Sequence, residues 1–192
     1  MKKNNIGIIV FVILTILLII SMAINVFYFS SKTKCKTPTE RVAEIQNTTT
    51  KDDFELKIFA DKKVYKTTDK IDIWSTFKYS GEKEKIEIWH ASSYITYSIT
   101  DGKDFNVEGV VNDILLSTRI EKDKLYHHDY YKSGGWEADG PDADFWEKFF
   151  NEKDLFLPAG EYTITVKATF DTSSDLHNES DIKCSIEIKV ED

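Results

Sequence analysis

The stretch 155–170 constrains this chain more than any other. After a Pro158-Ala159-Gly160 turn, Tyr162, Ile164, Val166, Ala168 and Phe170 fall on one face and Thr163, Thr165, Lys167 and Thr169 on the other. Alternation sustained over that length predicts a β-strand buried on one side, because successive side chains of a strand point to opposite faces. Such a strand needs a sheet around it and a second layer against its apolar face. A tyrosine just after a glycine turn, at the start of the strand, is how a β-sandwich pins a corner.

The same period recurs along most of the chain. Phe54, Leu56 and Ile58 alternate with Glu55 and Lys57, and Val64-Tyr65 forms a short second piece. Ile71, Ile73, Ser75, Phe77 and Tyr79 oppose Asp72, Trp74, Thr76 and Lys78, and a turn at Ser80-Gly81 leads to a strand over 86–89. Ile95, Tyr97 and Ile99 make another inward row, closed by Asp101-Gly102. Weaker strand patterns cover 114–120 and 125–132, and Ile182, Cys184, Ile186, Ile188 and Val190 form the last row.

One segment breaks this period. Gly140-Pro141 leads into 142–151, where Asp142 and Asp144 suit a first helical turn and Phe145, Trp146, Phe149 and Phe150 share one broad face. Roughly seven to nine strands with turn signals every 8–12 residues predict an all-β fold. It reads as an antiparallel immunoglobulin-like β-sandwich with one inserted short α-helix, preceded by an N-terminal transmembrane helix.

That last element rests on residues 6–29, which carry no charge and only Thr15, Ser21 and Asn25 as polar interruptions. About 20 apolar residues span a bilayer core as a helix, so residues 1–31 read as a membrane anchor. The alternative is a cleaved signal segment, with Ser21-Met22-Ala23 as the small-residue site and a secreted product. Continuation of the apolar run through Phe27, Tyr28 and Phe29 favours the anchor. Lys32, Lys34 and Lys36 outnumber Lys2 and Lys3, so the positive-inside rule does not favour an external C-terminus. A short basic head before an apolar run is nevertheless how export signals begin, and the domain is expected outside the membrane.

Residues 32–53 read as a polar stalk. Thr37-Pro38-Thr39-Glu40 resembles a capped helix start running through Val42 and Ile45, and 47–53 is polar and unpatterned, as in a linker. The folded domain is then 54–192. The first 36 residues hold five basic residues and no acid, leaving 20 basic against 33 acidic in the remainder, a net of −13. So acidic a domain is repelled by phosphate backbones, which excludes nucleic acid as an expected partner. The Lys/Ile/Asn-rich composition reads as bacterial, and two cysteines, Cys35 and Cys184, do not make a disulfide framework.

Asp69-Lys70-Ile71-Asp72-Ile73 running to Tyr79-Ser80-Gly81, the later Asp101-Gly102, and Leu157-Pro158-Ala159-Gly160-Glu161-Tyr162-Thr163-Ile164 resemble bacterial immunoglobulin-like domains. The pattern is similar to that of the BsuPI proteinase-inhibitor family over about 54–190, which implies a sandwich of that kind. No inhibitory loop matches residue by residue, and the export segment and the 136–150 insertion depart from the family.

Candidate chemistry is sparse. In a strand, His127 and His128 point to opposite faces and cannot share one metal without a bend, whereas zinc takes three or four clustered ligands. Asp139, Asp142 and Asp144 offer oxygens without the spacing of a calcium loop. Ser133-Gly134-Gly135 is no nucleophile elbow. No catalytic residue, cofactor or metal is therefore expected. Trp74 and Trp89 fall out of phase with their strands' aliphatic rows and are expected on the outer face. They are then either covered by the aromatic helix or part of a binding surface made of Trp74, Trp89, Tyr130, Trp136 and Trp146. The sequence reads as a membrane-anchored extracytoplasmic domain with a non-catalytic binding or interaction role. The alternatives are protease inhibition through the 132–142 loop and cell-wall glycan binding on the aromatic residues.

Overall fold

The alternation that marks 155–170 becomes a strand over Gly160–Asp171 whose side chains alternate between buried and half-exposed along most of its length. The structure, a computed structural model, describes residues 41–192, of which Val42–Asp192 form one compact unit. In chain order the strands are β1 (Ile45–Lys51), β2 (Phe54–Ala60), β3 (Val64–Lys66), β4 (Ile73–Tyr79), β5 (Lys85–His90) and β6 (Ile95–Thr100). They continue as β7 (Asn106–Val107), β8 (Leu116–Glu121), β9 (Tyr126–Asp129), β10 (Gly160–Asp171) and β11 (Glu179–Glu191), with one helix, α1 (Ala143–Asn151), between β9 and β10.

The strands form two sheets. One runs β1-β2-β4-β9, every pair antiparallel. The other runs β3-β11-β10-β5-β8, with β6 beside β10 and β7 beside β6. Its spine is the β10–β11 hairpin, paired from Gly160↔Val190 to Asp171↔Glu179, while β3 lies parallel to the end of β11. The apolar rows of both sheets belong to one core. Leu56, Ile58 and Phe77 come from the first sheet, and Ile164, Val166 and Ile186 from the second. The Phe54 and Phe170 rings meet edge-on at 4.7 Å across the interface. Each such side chain contributes about 1.5–3 kcal/mol by leaving water, so these rows dominate stability.

A polar thread crosses the same core. Tyr97 OH donates to the His128 carbonyl at 2.8 Å, so the buried Ser75 hydroxyl, 2.7 Å away, donates to Tyr97 in turn. At the corner before β10, Tyr162 OH donates to the Pro158 carbonyl at 3.0 Å. The sequence signal in Pro158-Ala159-Gly160 therefore corresponds to a turn tied to its own strand.

Several expectations need correction. The fold is mostly β with one short helix, but the described residues hold eleven strands rather than seven to nine. Part of the expected stalk is strand: β1 pairs along the whole of β2 through a tight turn at Asp52 and Asp53. Asp52 takes φ 52°, which a short polar side chain tolerates. The folded unit thus begins near Val42 and not at Phe54, and Ile45 extends a strand instead of a helix. The expected anchor, the capped turn at Thr37 and Cys35 lie outside the described residues. Among the described residues no helix is long and apolar enough to cross a membrane.

Candidate functional site

The helix α1 is held on its aromatic face and at its C-terminal end by chemistry that its sequence only half announces. Its aromatic face lands on Phe105, which lies 5.2 Å from Trp146, 5.6 Å from Phe149 and 5.3 Å from Tyr162. The corner tyrosine thus supports the helix through one intervening ring. At the C-terminal end the Lys132 ammonium donates to three carbonyls, Phe149 O and Glu152 O at 2.7 Å and Asp154 O at 2.8 Å. The Phe149 carbonyl is one that a helix C-terminus leaves without a partner, Glu152 and Asp154 follow the helix end, and a cation there also complements the helix dipole. Burial pushes the Lys132 amine below its usual range, while the charges of Glu152 and Asp154 oppose that shift.

Between α1 and the loop before it lies a groove of about 370 Å³. Its aromatic wall is Trp136, Trp146 and Phe150. Trp136 stacks on Phe150 at 6.1 Å with 15° between planes, and Phe150 tilts against Trp146 at 6.2 Å. Trp136 keeps 39 % of its surface in solvent. Two residues before Trp136, Gly134 takes φ 118°, a conformation that a side chain disfavours, and lies against the Phe150 ring. The facing wall comes from the segment after β7. There Gly109 lies so close to β6 that an added Cβ would sit 2.7 Å from Thr96 Cβ and 2.9 Å from the Tyr97 carbonyl. That approach sets Glu108 at the rim, and the Val110 N–H donates to Ser133 Oγ at 3.0 Å, tying the two walls together.

Of the five aromatic residues expected on one surface, the structure brings only Trp136 and Trp146 together. Trp74 is buried, 4 % exposed, and stacks flat on Phe59 at 5.4 Å and 8°. It does lie on the outer face of β4, but that strand is central in its sheet and almost wholly buried. Trp89 is half-buried on β5, beside a separate cavity with Ile114 and Leu176. Tyr130 packs edge-on to Tyr97 at 5.4 Å against the core, and burial pushes its phenol well above the usual range. The helix does not serve as the expected cover for Trp74 and Trp89; its face is spent on Phe105.

The polar candidates take structural positions. His128 turns inward, where Tyr94 OH meets its Nε2 at 3.0 Å, and burial pushes the imidazole down to about 4; His127 faces solvent. Cys184 is a free thiol, buried on β11 and pushed up by that burial. Among the described residues no group of three carboxylate, imidazole or thiol side chains is arranged to hold a metal ion. The lysine of the 132–142 loop is engaged by the three carbonyls of α1's end. Sequence reasoning did not find Asn106 or Glu108 as groove residues. Nothing local marks them, since they reach the groove only because β7 pairs with β6.

Comparison with protein-family models and with curated proteins gives no match for this chain.

Proposed function

We propose that the chain is a membrane-anchored, extracytoplasmic binding module of a bacterium, non-catalytic, built on an immunoglobulin-like β-sandwich. The observation that carries the binding role is the groove between α1 and the 133–137 loop, where an exposed tryptophan is pre-stacked and both walls are braced. Rigid aromatic area at the mouth of a concave site offers contact at low entropic cost, which is what a binding surface needs. The immunoglobulin-like reading, and with it the resemblance to the BsuPI family, is supported by two features. Tyr162 makes the tyrosine-corner bond to a carbonyl four residues upstream. The chain passes from β2 in one sheet to β3 in the other, where β3 runs parallel to β11. Inhibition through the 132–142 loop gains no support, because its lysine is not available to a protease pocket.

Two measurements test this reading. Protease added to intact cells expressing the full chain should remove the domain; a domain that survives untouched contradicts the extracytoplasmic placement. The detergent-solubilised full chain should be retained on at least one of two matrices, a short arginine peptide or a neutral N-acetylglucosamine oligomer. Trp136→Ala should abolish that retention in a variant that still unfolds cooperatively. Retention on neither matrix sinks the binding role of the groove.

A further inference from the structure

The charges around the groove are distributed one way. Glu108 and Glu137 are the charged side chains among its lining residues, and among the described residues no lysine or arginine lines it. Two cations of the adjoining segments are turned elsewhere: Lys132 and Lys148 line a separate cavity with Phe145 and Phe149. The positive end of the α1 dipole, which would favour an anion, is offset by Asp142 at the cap position and Asp144 in the first turn. The groove thus combines an exposed indole with carboxylates that pair with no cation among the described residues, Glu108 accepting only from Asn106 Nδ2 at 3.5 Å.

Resting on the binding role proposed above, we infer that the groove recognises a cationic side chain, arginine above all, presented by an extended segment of a partner protein. Charge complementarity argues for this occupant. A guanidinium lies flat on an indole face, tryptophan being the best ring for that contact, and its fork pairs with a carboxylate in the same plane. Phe150 occupies one face of the Trp136 ring, so the ligand stacks on the other while its donors reach Glu137 or Glu108. Lys132 cannot fill this place from within the chain, since its ammonium is committed to Phe149 O, Glu152 O and Asp154 O.

The test measures binding of the full chain in detergent to a labelled Gly-Gly-Arg-Gly-Gly peptide, to its citrulline counterpart and to a neutral N-acetylglucosamine oligomer. Citrulline keeps the shape of arginine and removes its charge. The arginine peptide should bind, the citrulline peptide should bind about tenfold more weakly, and Trp136→Ala and Glu108→Gln/Glu137→Gln should each weaken the arginine peptide by a similar factor. The glutamine variant guards against misfolding of the tryptophan variant, because it leaves the aromatic stack intact. Equal binding of both peptides, or arginine binding unchanged in both variants, overturns the inference. Binding of the neutral oligomer alone, lost with Trp136→Ala, overturns it while leaving the groove a binding site. Binding of none of the three overturns both.

Discussion

The ammonium of Lys132 has three protons and meets three carbonyls, two of them from residues at or beyond the end of α1. Its nitrogen also lies 4.5 Å from the Phe149 ring centroid, so the apolar surroundings that depress its amine are partly offset by the ring's negative face. This one side chain joins the groove loop to the far end of the helix with which that loop shares the aromatic wall. Lys132→Met keeps the apolar stem and removes every one of these bonds. The expected outcome is a loss of about 1.5–3 kcal/mol of stability in urea denaturation, the range for hydrogen bonds to a charged group. Looser packing of α1 should accompany it, read as faster amide exchange over 143–151. An unchanged denaturation midpoint would mean that the helix end is held by the aromatic contacts alone.

β1 supplies the prediction at the scale of elements. It pairs with β2 over seven positions, from Ile45↔Ala60 to Lys51↔Phe54, and Ile45 packs against the core. Asn47 Nδ2 donates to Ser185 O at 2.8 Å and Lys51 Nζ to Asp181 O at 3.3 Å, so the strand also covers part of the margin of β11. A chain begun at Phe54 should lose on the order of 3 kcal/mol and expose the edge of β2, with aggregation as a consequence. A chain begun at Val42 should melt above the chain begun at Phe54; equal melting of both truncations would show β1 to be dispensable. That β1 escaped sequence reading has a physical cause. Its outer face is solvated and its inner side carries one aliphatic residue, Ile45, so alternation was absent. Where a strand buries one whole face, as β2, β10 and β11 do, period 2 was legible almost to the residue. Trp74 marks the boundary of that method: the period assigned it to the outer face correctly, but there it stacks on Phe59 of the neighbouring strand, and a single strand's period does not contain its neighbour. The groove was half legible for the same reason. Trp136 and Trp146 stood out as aromatic residues, whereas Glu108 arrives there only through the pairing of β6 and β7.

The two sheets are joined by apolar packing and by a polar thread that includes a titratable group. His128 sits on β9 in one sheet, and its imidazole meets Tyr94 OH at 3.0 Å and edge-on at 5.1 Å, next to β6 in the other. Its main-chain carbonyl takes the Tyr97 hydroxyl. Burial, reinforced by the charge of His127 and opposed by that of Asp129, holds this imidazole down to about 4 against an ordinary 6.5. Well above pH 6.5 it is neutral whether the chain is folded or not, and there it contributes no pH dependence. As pH falls from 6.5 toward 4 the unfolded chain takes the proton first, so the folded state loses stability through that window. The loss approaches about 3 kcal/mol near pH 4, each factor of ten in affinity for the proton being worth about 1.4 kcal/mol. Carboxylates also titrate toward the bottom of that range, so the wild-type curve alone does not isolate the effect. His128→Gln can keep a hydrogen bond to Tyr94 and has no proton to gain. The difference in urea midpoint between wild type and this variant should therefore be flat above pH 7 and move in the variant's favour between pH 6.5 and 4.5, the carboxylate contribution cancelling in the comparison. Parallel curves would place the acid sensitivity of the sheet junction outside His128. A divergence confined to that interval would identify this buried imidazole as the group through which acid loosens the packing of one sheet on the other.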